Sequence, residues 1–364
     1  MPRAATPASP PSTSGRAAYL VLGMHRSGTS AITQLLALAG ARLPANVMPG
    51  DEHNAKGYFE PWKIAQFDET RLIAGGSSWD DPFAFPYRAT DAEADWAARA
   101  GALFDAEFGR ARHPLMKDPR ATVLMPMWRA VLDARGIAAR CVIPVRHPLA
   151  VAGSLGRRDG FSPEKSVLVW SAYMLAAEAY TRDLPRVFVG YEALLADWRG
   201  EARRIEAAHG SPLPGLTETA GRKIDAFLTP DLRHNRAGDG LSALGWTGEI
   251  AQAVVDACEA AARDEPLSAQ AFDEIAARLA QRQAEIGALI SPQARDLAAA
   301  RAELAAARES LAGARMLEAE LRADLDLTRR TLENGWRSDL ARLEAARAAM
   351  DQASAELDRA LVGD

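Results

Sequence analysis

Tyr19-Leu20-Val21-Leu22-Gly23-Met24-His25-Arg26-Ser27-Gly28-Thr29-Ser30 is the stretch that decides the fold. Its apolar start predicts a buried strand, and Ala31-Ile32-Thr33-Gln34-Leu35-Leu36 after it predicts a helix. A strand, a tight glycine-bounded loop and a helix N-terminus together cradle an anion. Loop amides point at it, and so does the positive end of the helix dipole. The spacing Gly23-x-x-x-x-Gly28 is that of the nucleotide-binding P-loop, yet Thr29 stands where that motif has its lysine. A kinase uses that lysine on the β- and γ-phosphates, so its absence argues against ATP. The cation here is Arg26, directly before Ser27-Gly28-Thr29.

Short apolar runs recur downstream, at 115–117, 140–145 and 186–190, and predict further strands. Helical patterns fall between them, at 61–73, 91–110, 124–133, from Pro148 onward, at 163–181 and at 192–209. This alternation predicts an α/β fold, a P-loop-like and mainly parallel sheet flanked by helices. Ligands of such sheets collect at the carboxyl ends of the strands, where Gly23, Lys117, Arg146 and Tyr191 are expected. The segment 75–88, with Trp79, Phe83, Phe85 and Tyr87, reads either as a loop packed on the core or as part of an acceptor pocket.

The ends of the chain differ from this middle. Residues 1–16 are rich in Pro, Ser, Thr and Ala, lack the apolar core of a signal peptide, and read as a disordered leader. From about residue 291 the aromatics nearly vanish and Leu297, Leu304 and Leu311 step by seven, which predicts a long helix with coiled-coil character. Gly313 and Gly335 are expected to interrupt it. The expected domains are therefore the leader at 1–16, an α/β domain at 17–290 and a helical extension at 291–364. The extension could pair with a copy of itself, bind a partner protein, fold as a hairpin or act as a spacer.

A net charge of −5 on 364 residues gives no reason to expect nucleic acid as a partner. No run of about 18 apolar residues predicts a membrane span. Cys141 and Cys258 lie far apart, and Cys141 sits in an apolar strand pattern, so a buried free thiol is expected. That fits a reducing, cytoplasmic setting.

Four segments carry the chemistry in order: His25-Arg26-Ser27-Gly28-Thr29; Met116-Lys117-Asp118-Pro119-Arg120; Val145-Arg146-His147-Pro148 with Ser154 eight residues after Arg146; and Tyr191-Glu192-Ala193-Leu194. In this order and spacing, residues 17–236 resemble the sulfotransferases that use 3′-phosphoadenosine 5′-phosphosulfate (PAPS). The resemblance is to bacterial members and to the carbohydrate and tyrosylprotein branches. It implies that His25, Arg26, Ser27, Gly28, Thr29 and Ser30 hold the 5′-phosphosulfate and that Arg146 and Ser154 hold the 3′-phosphate. It places Tyr191 in the cofactor-binding set. It also implies Arg26 and Lys117 as catalytic cations, no metal, and a hydroxyl acceptor on a carbohydrate or glycoconjugate. His147 stands where the family has Asp, Asn or a similar residue.

The physical reading is compatible with this. PAPS is anionic at both ends; a helix N-terminus serves one end, and a cation with hydroxyl help serves the other. Gly57-Tyr58-Phe59-Glu60 resembles the glutamate-bearing segment of related bacterial enzymes, so Glu60 is the expected general base, with His25 and His53 as alternatives. Bland readings stand beside these. Arg146 could form a surface ion pair, Lys117 could pair with Asp118, and Glu60 could merely favour a helix N-terminus. The basic segment 228–236 could close over the cofactor or be a solvated loop. Two rival functions are a kinase-like phosphotransferase and a non-catalytic coiled-coil scaffold with a degenerate nucleotide-binding domain.

Overall fold

The computed structural model describes residues 15–48, 57–228 and 240–361. Most of the leader, the polar loop that contains His53, and nearly all of the basic segment at 228–236 lie outside the described residues.

Four strands form one parallel sheet: β1 (Ala17–Val21), β2 (Leu115–Met116), β3 (Ala138–Val145) and β4 (Arg186–Gly190). Their order is β2-β1-β3-β4, and Leu20 stands between Met116 and Cys141 in register. The chain leaves β1 to one side to make β2, then crosses to the other side of β1 to make β3. Connections that diverge this way open a crevice at the carboxyl ends of the strands.

The helices are α1 (Thr29–Leu38), α2 (Trp62–Ala74), α3 (Glu93–Phe108), α4 (Arg120–Val123), α5 (Met125–Asp133), α6 (Pro148–Asp159), α7 (Pro163–Ala179), α8 (Tyr191–Ala196), α9 (Trp198–His209), α10 (Glu218–Phe227), α11 (Gly245–Ala262) and α12 (Ala269–Leu361). Side chains alternate across a strand, so β1 feeds two cores. Tyr19 and Val21 pack with α1, α8, α9 and α10, whereas Ala18 and Leu20 pack with α2 to α7 and α11. Cys141 and Cys258 are free and buried, and burial pushes the Cys141 thiol up to about 12.

Two helical expectations are corrected. The single helix expected at 192–209 is broken at Asp197 (φ −145, ψ 74), whose carboxylate accepts from the Gly200 amide at 2.9 Å and caps α9. An aspartate offers the backbone this local alternative to the helical ladder. The helix expected from 291 instead begins at Ala269 and runs through Gly313 and Gly335 without a break. One glycine costs a helix only about 1 kcal/mol against alanine, and the surrounding Ala, Leu, Arg and Glu are strong helix formers.

The chain divides into two compact units, one reaching Ala298 and the other beginning at Ala299. Ser291 belongs to the first: its hydroxyl donates to Asp81 Oδ1 at 3.0 Å and accepts from Arg88 at 3.2 Å. No helix among the described residues is long and apolar enough to cross a membrane.

Candidate functional site

The loop after β1 is fixed by backbone geometry. Gly23 (φ +135) donates its amide to Thr122 Oγ1 at 2.8 Å, which ties the loop to α4. Arg26 has φ +68, a region that non-glycine residues seldom occupy and that holds strain at functional sites. Gly28 (φ +93) is the N-cap of α1 and brings no side-chain cap. A Cβ there would stand 2.4 Å from Tyr191 Cδ2, so only glycine lets the loop lie against that ring. The bonds of α1 begin with Ala31 N to Gly28 O at 3.1 Å, which leaves the Gly28 and Thr29 amides ahead of the ladder at the positive end of the dipole.

The cations converge on this loop from other strand ends. Arg26 Nε donates to Ser154 Oγ at 2.7 Å, joining the loop to the second turn of α6. Arg146, just past β3, donates from Nη1 to the Arg26 carbonyl at 2.9 Å and lies over the Tyr191 ring at 4.7 Å. Among the described residues its Nε and Nη2 are buried with no hydrogen-bond partner, as is Ser27 Oγ. Burial lowers the pKa of both guanidiniums, and nearby Arg158 adds to the effect on Arg26. His147 plays a structural part, because its Nδ1 accepts from the Leu149 amide at 3.3 Å and caps α6.

Lys117, just past β2, donates to the Tyr58 carbonyl at 3.0 Å and to Glu60 Oε1. Both side chains of this pair are almost completely buried. The bland reading of a Lys117–Asp118 pair is not what forms. Asp118 is held by Arg120 at 3.0 Å, and Arg120 also binds Glu69 at 2.9 Å and stands 3.9 Å from Glu60 Oε2. Phe59 (φ +58) turns the chain just before Glu60, whose carboxylate faces these cations. Behind them, Asp68 accepts from Trp128 Nε1 at 3.1 Å. Burial, with the Asp118 charge beside it, raises the Asp68 carboxyl well above the usual range.

His25 is buried edge-on against Trp79, with ring centres 5.0 Å apart, and Trp79 stacks on Phe161 at 5.5 Å. Burial first, then Arg120, Arg158, Lys117 and Arg26, hold its pKa well below 6.5, so the imidazole is neutral at pH 7. Its Nε2 has no hydrogen-bond partner among the described residues. The segment 75–88 thus divides: Phe83 lies in the core, while Trp79 packs on His25.

Of the expected residues, the structure brings His25, Arg26, Ser27, Gly28, Arg146, Ser154 and Tyr191 into contact around one loop. Thr29 and Ser30 open α1 directly behind it. Lys117 and Glu60 pair at the neighbouring strand end, close enough for the lysine to depress His25. Sequence reasoning missed Arg158, which lies over Trp79 at 5.5 Å. Its place four residues after Ser154, on the same helix face, was the available signal. It also missed the tie of Thr122 to Gly23, which has no local sequence signal.

No protein-family profile matches the chain, and no curated protein matches it. Several solved structures are similar, two of them as follows. The sulfotransferase domain from the Synechococcus PCC 7002 olefin synthase is 18% identical with a TM-score of 0.36, and the match covers 75% of this chain and 98% of that one. The sulfotransferase domain from the curacin biosynthetic pathway is 15% identical with a TM-score of 0.35, covering 73% of this chain and 98% of that one. Likeness at this level carries no inference about activity, which has to come from the side chains.

Proposed function

We propose that this protein is a PAPS-dependent sulfotransferase acting on a hydroxyl acceptor. The observation that carries the reading is Arg146: a guanidinium stacked on Tyr191 with two buried N–H groups that no described residue satisfies, one hydrogen bond away from an anion-cradling loop. Buried donors need partners, and two neighbouring anion sites suit a nucleotide charged at both its 5′ and 3′ ends. The loop amides, Ser27 and Arg26 would hold the 5′-phosphosulfate. Arg146 and Ser154 would hold the 3′-phosphate.

Sulfuryl transfer asks the protein mainly for positioning and charge. The acceptor oxygen forms a bond to sulfur as the sulfur–oxygen bond to the 5′-phosphate breaks, and 3′,5′-ADP departs. Arg26 and Lys117 offset the charge that develops on the sulfuryl and leaving oxygens. The acceptor proton goes to Glu60. Lys117 therefore has two duties, and it must turn from Glu60 toward the sulfuryl group before Glu60 can act as base. A second reading of the base is favoured by one observation: His25 is neutral with no partner for Nε2 among the described residues, and could take the proton itself.

The acceptor is proposed to be a hydroxyl of a carbohydrate or glycoconjugate, with Trp79 and Phe161 as an aromatic wall beside His25. The direct test is transfer of labelled sulfate from PAPS to a panel of glycans and simpler alcohols. Transfer that Lys117→Ala abolishes is expected. Tighter binding of ATP with Mg²⁺ than of 3′,5′-ADP would overturn the reading in favour of a kinase-like enzyme.

A further inference from the structure

The second unit, considered alone, is one helix whose large apolar side chains are at least half exposed, from Leu304 at 51% to Trp336 at 81%. Most of them fall in one series, with Met316, Leu317, Leu327 and Leu332 outside it. Leu304, Leu311 and Leu325 alternate with Ala307, Ala314 and Leu321 in steps of three and four, with Glu318 at the remaining station. Beyond one break in the repeat, Trp336, Leu340 and Leu343 resume the steps through Met350 and Leu357. This is the seam of a coiled coil, with one residue inserted into the repeat at its middle.

We propose that this seam pairs with that of a second copy of the chain, antiparallel, about a point between Arg330 and Thr331. The pattern is its own mirror image about that point. Leu304 faces the partner's Leu357, and Leu311 faces the partner's Met350. Leu321 faces the partner's Leu340, and Leu325 faces the partner's Trp336. Smaller layers fall between, as where Ala307 meets the partner's Ser354. The two charges that interrupt the seam, Glu318 and Arg347, are opposite in sign and come within a turn of each other across the interface. Twofold symmetry makes every such contact occur twice.

The flanking charges select the direction. Arg301, Arg308 and Arg315 each follow an alanine of the seam in the first half; Glu344, Asp351 and Asp358 each follow a large seam residue in the second. In antiparallel coiled coils these equivalent flanking positions face one another. The register sets Arg301 beside the partner's Asp358, Arg308 beside the partner's Asp351, and Arg315 beside the partner's Glu344. A parallel, in-register pair would match Arg308 with the partner's Glu303. It would also set Glu344 against the partner's Asp339 and leave Asp351 and Asp358 facing alanines. The antiparallel register has costs: Arg322 falls near the partner's Arg337, which the hold of Glu318 on Arg322 at 2.8 Å reduces, Asp324 falls near the partner's Asp339, and Glu318 lies in the layer of the partner's Leu343.

The test uses the full chain. Light scattering and sedimentation are expected to give a dimer; a monomer at about 50 µM overturns the proposal, as does any larger assembly. Arg308→Glu is expected to weaken association by about tenfold or more, and adding Asp351→Arg to the same chain to restore it. With Leu304→Cys and Leu357→Cys combined, oxidation is expected to cross-link the dimer, while Leu304→Cys alone stays uncross-linked. Cross-linking of that single variant means a parallel pair and refutes the register. The two native cysteines are buried and do not compete.

Discussion

Replacing Arg146 with alanine should erase the recognition of a 3′-phosphate while leaving the fold intact. Arg146 gives one N–H to the Arg26 carbonyl and keeps two more, Nε and Nη2, buried without a partner among the described residues. Each charge-assisted hydrogen bond to a phosphate is worth about 1.5–3 kcal/mol. Two of them, less the cost of ordering the nucleotide, leave a net of about 3–4 kcal/mol, or roughly 10²–10³ in affinity. Wild-type protein should therefore bind 3′,5′-ADP about 10²–10³-fold more tightly than 5′-AMP, and Arg146→Ala should bring the two within about threefold. Arg146→Lys should fall between, since it keeps the charge but not the planar fork. Unliganded, Arg146→Ala should melt near or above wild type, because burial already works against this guanidinium, as its lowered pKa records. Calorimetry with both nucleotides at one ionic strength, beside a thermal melt, reads all of this. Equal affinity of wild type for the two nucleotides would refute the reasoning. So would an Arg146→Ala protein that loses both equally while still folded.

Three further outcomes are expected. Glu60→Gln should lower kcat by about 10²–10⁴ with 3′,5′-ADP affinity little changed; near-normal turnover would pass the base to His25, whose own replacement should then abolish activity. Gly28→Ala forces a Cβ to within 2.4 Å of the Tyr191 ring at φ +93, so it should cost about 1–3 kcal/mol of stability and loosen nucleotide binding. Adding Tyr191→Ala should recover part of the melting temperature, and no recovery would mean that the clash is not the cause. His209 is buried, and burial lowers its pKa to about 4, below the unfolded value of 6.5. Above pH 6.5 it is neutral in both states and carries no penalty. As pH falls from 6.5 to 4 the unfolded chain takes up the proton first, so stability should drop by about 3 kcal/mol in all and then level off. Denaturation across that window should show a flatter slope in His209→Gln; an unchanged slope would contradict the assignment.

The local elements were legible in the amino-acid order, because their signals are local. The apolar run before Gly23 and the glycine spacing to Gly28 predict β1, the loop and α1 within a residue or two. Pro148 marks the start of α6, and the short apolar runs mark the other strands. The four segments that end in Arg26, Lys117, Arg146 and Tyr191 could be placed at strand ends for the same reason. What their side chains do there was not legible. That Lys117 binds Glu60 and not the adjacent Asp118 depends on Phe59 turning the chain and on Arg120 occupying Asp118. That Arg26 meets Ser154, and that Gly28 must be glycine to clear Tyr191, depend on residues more than a hundred positions apart coming into contact. The depression of His25 arises from burial and from cations on two other segments of the chain, beside Arg26 in its own. Strand and loop propensities are written in neighbouring residues; partners, burial and the sharing of charge are set only when the parallel sheet brings its carboxyl ends together.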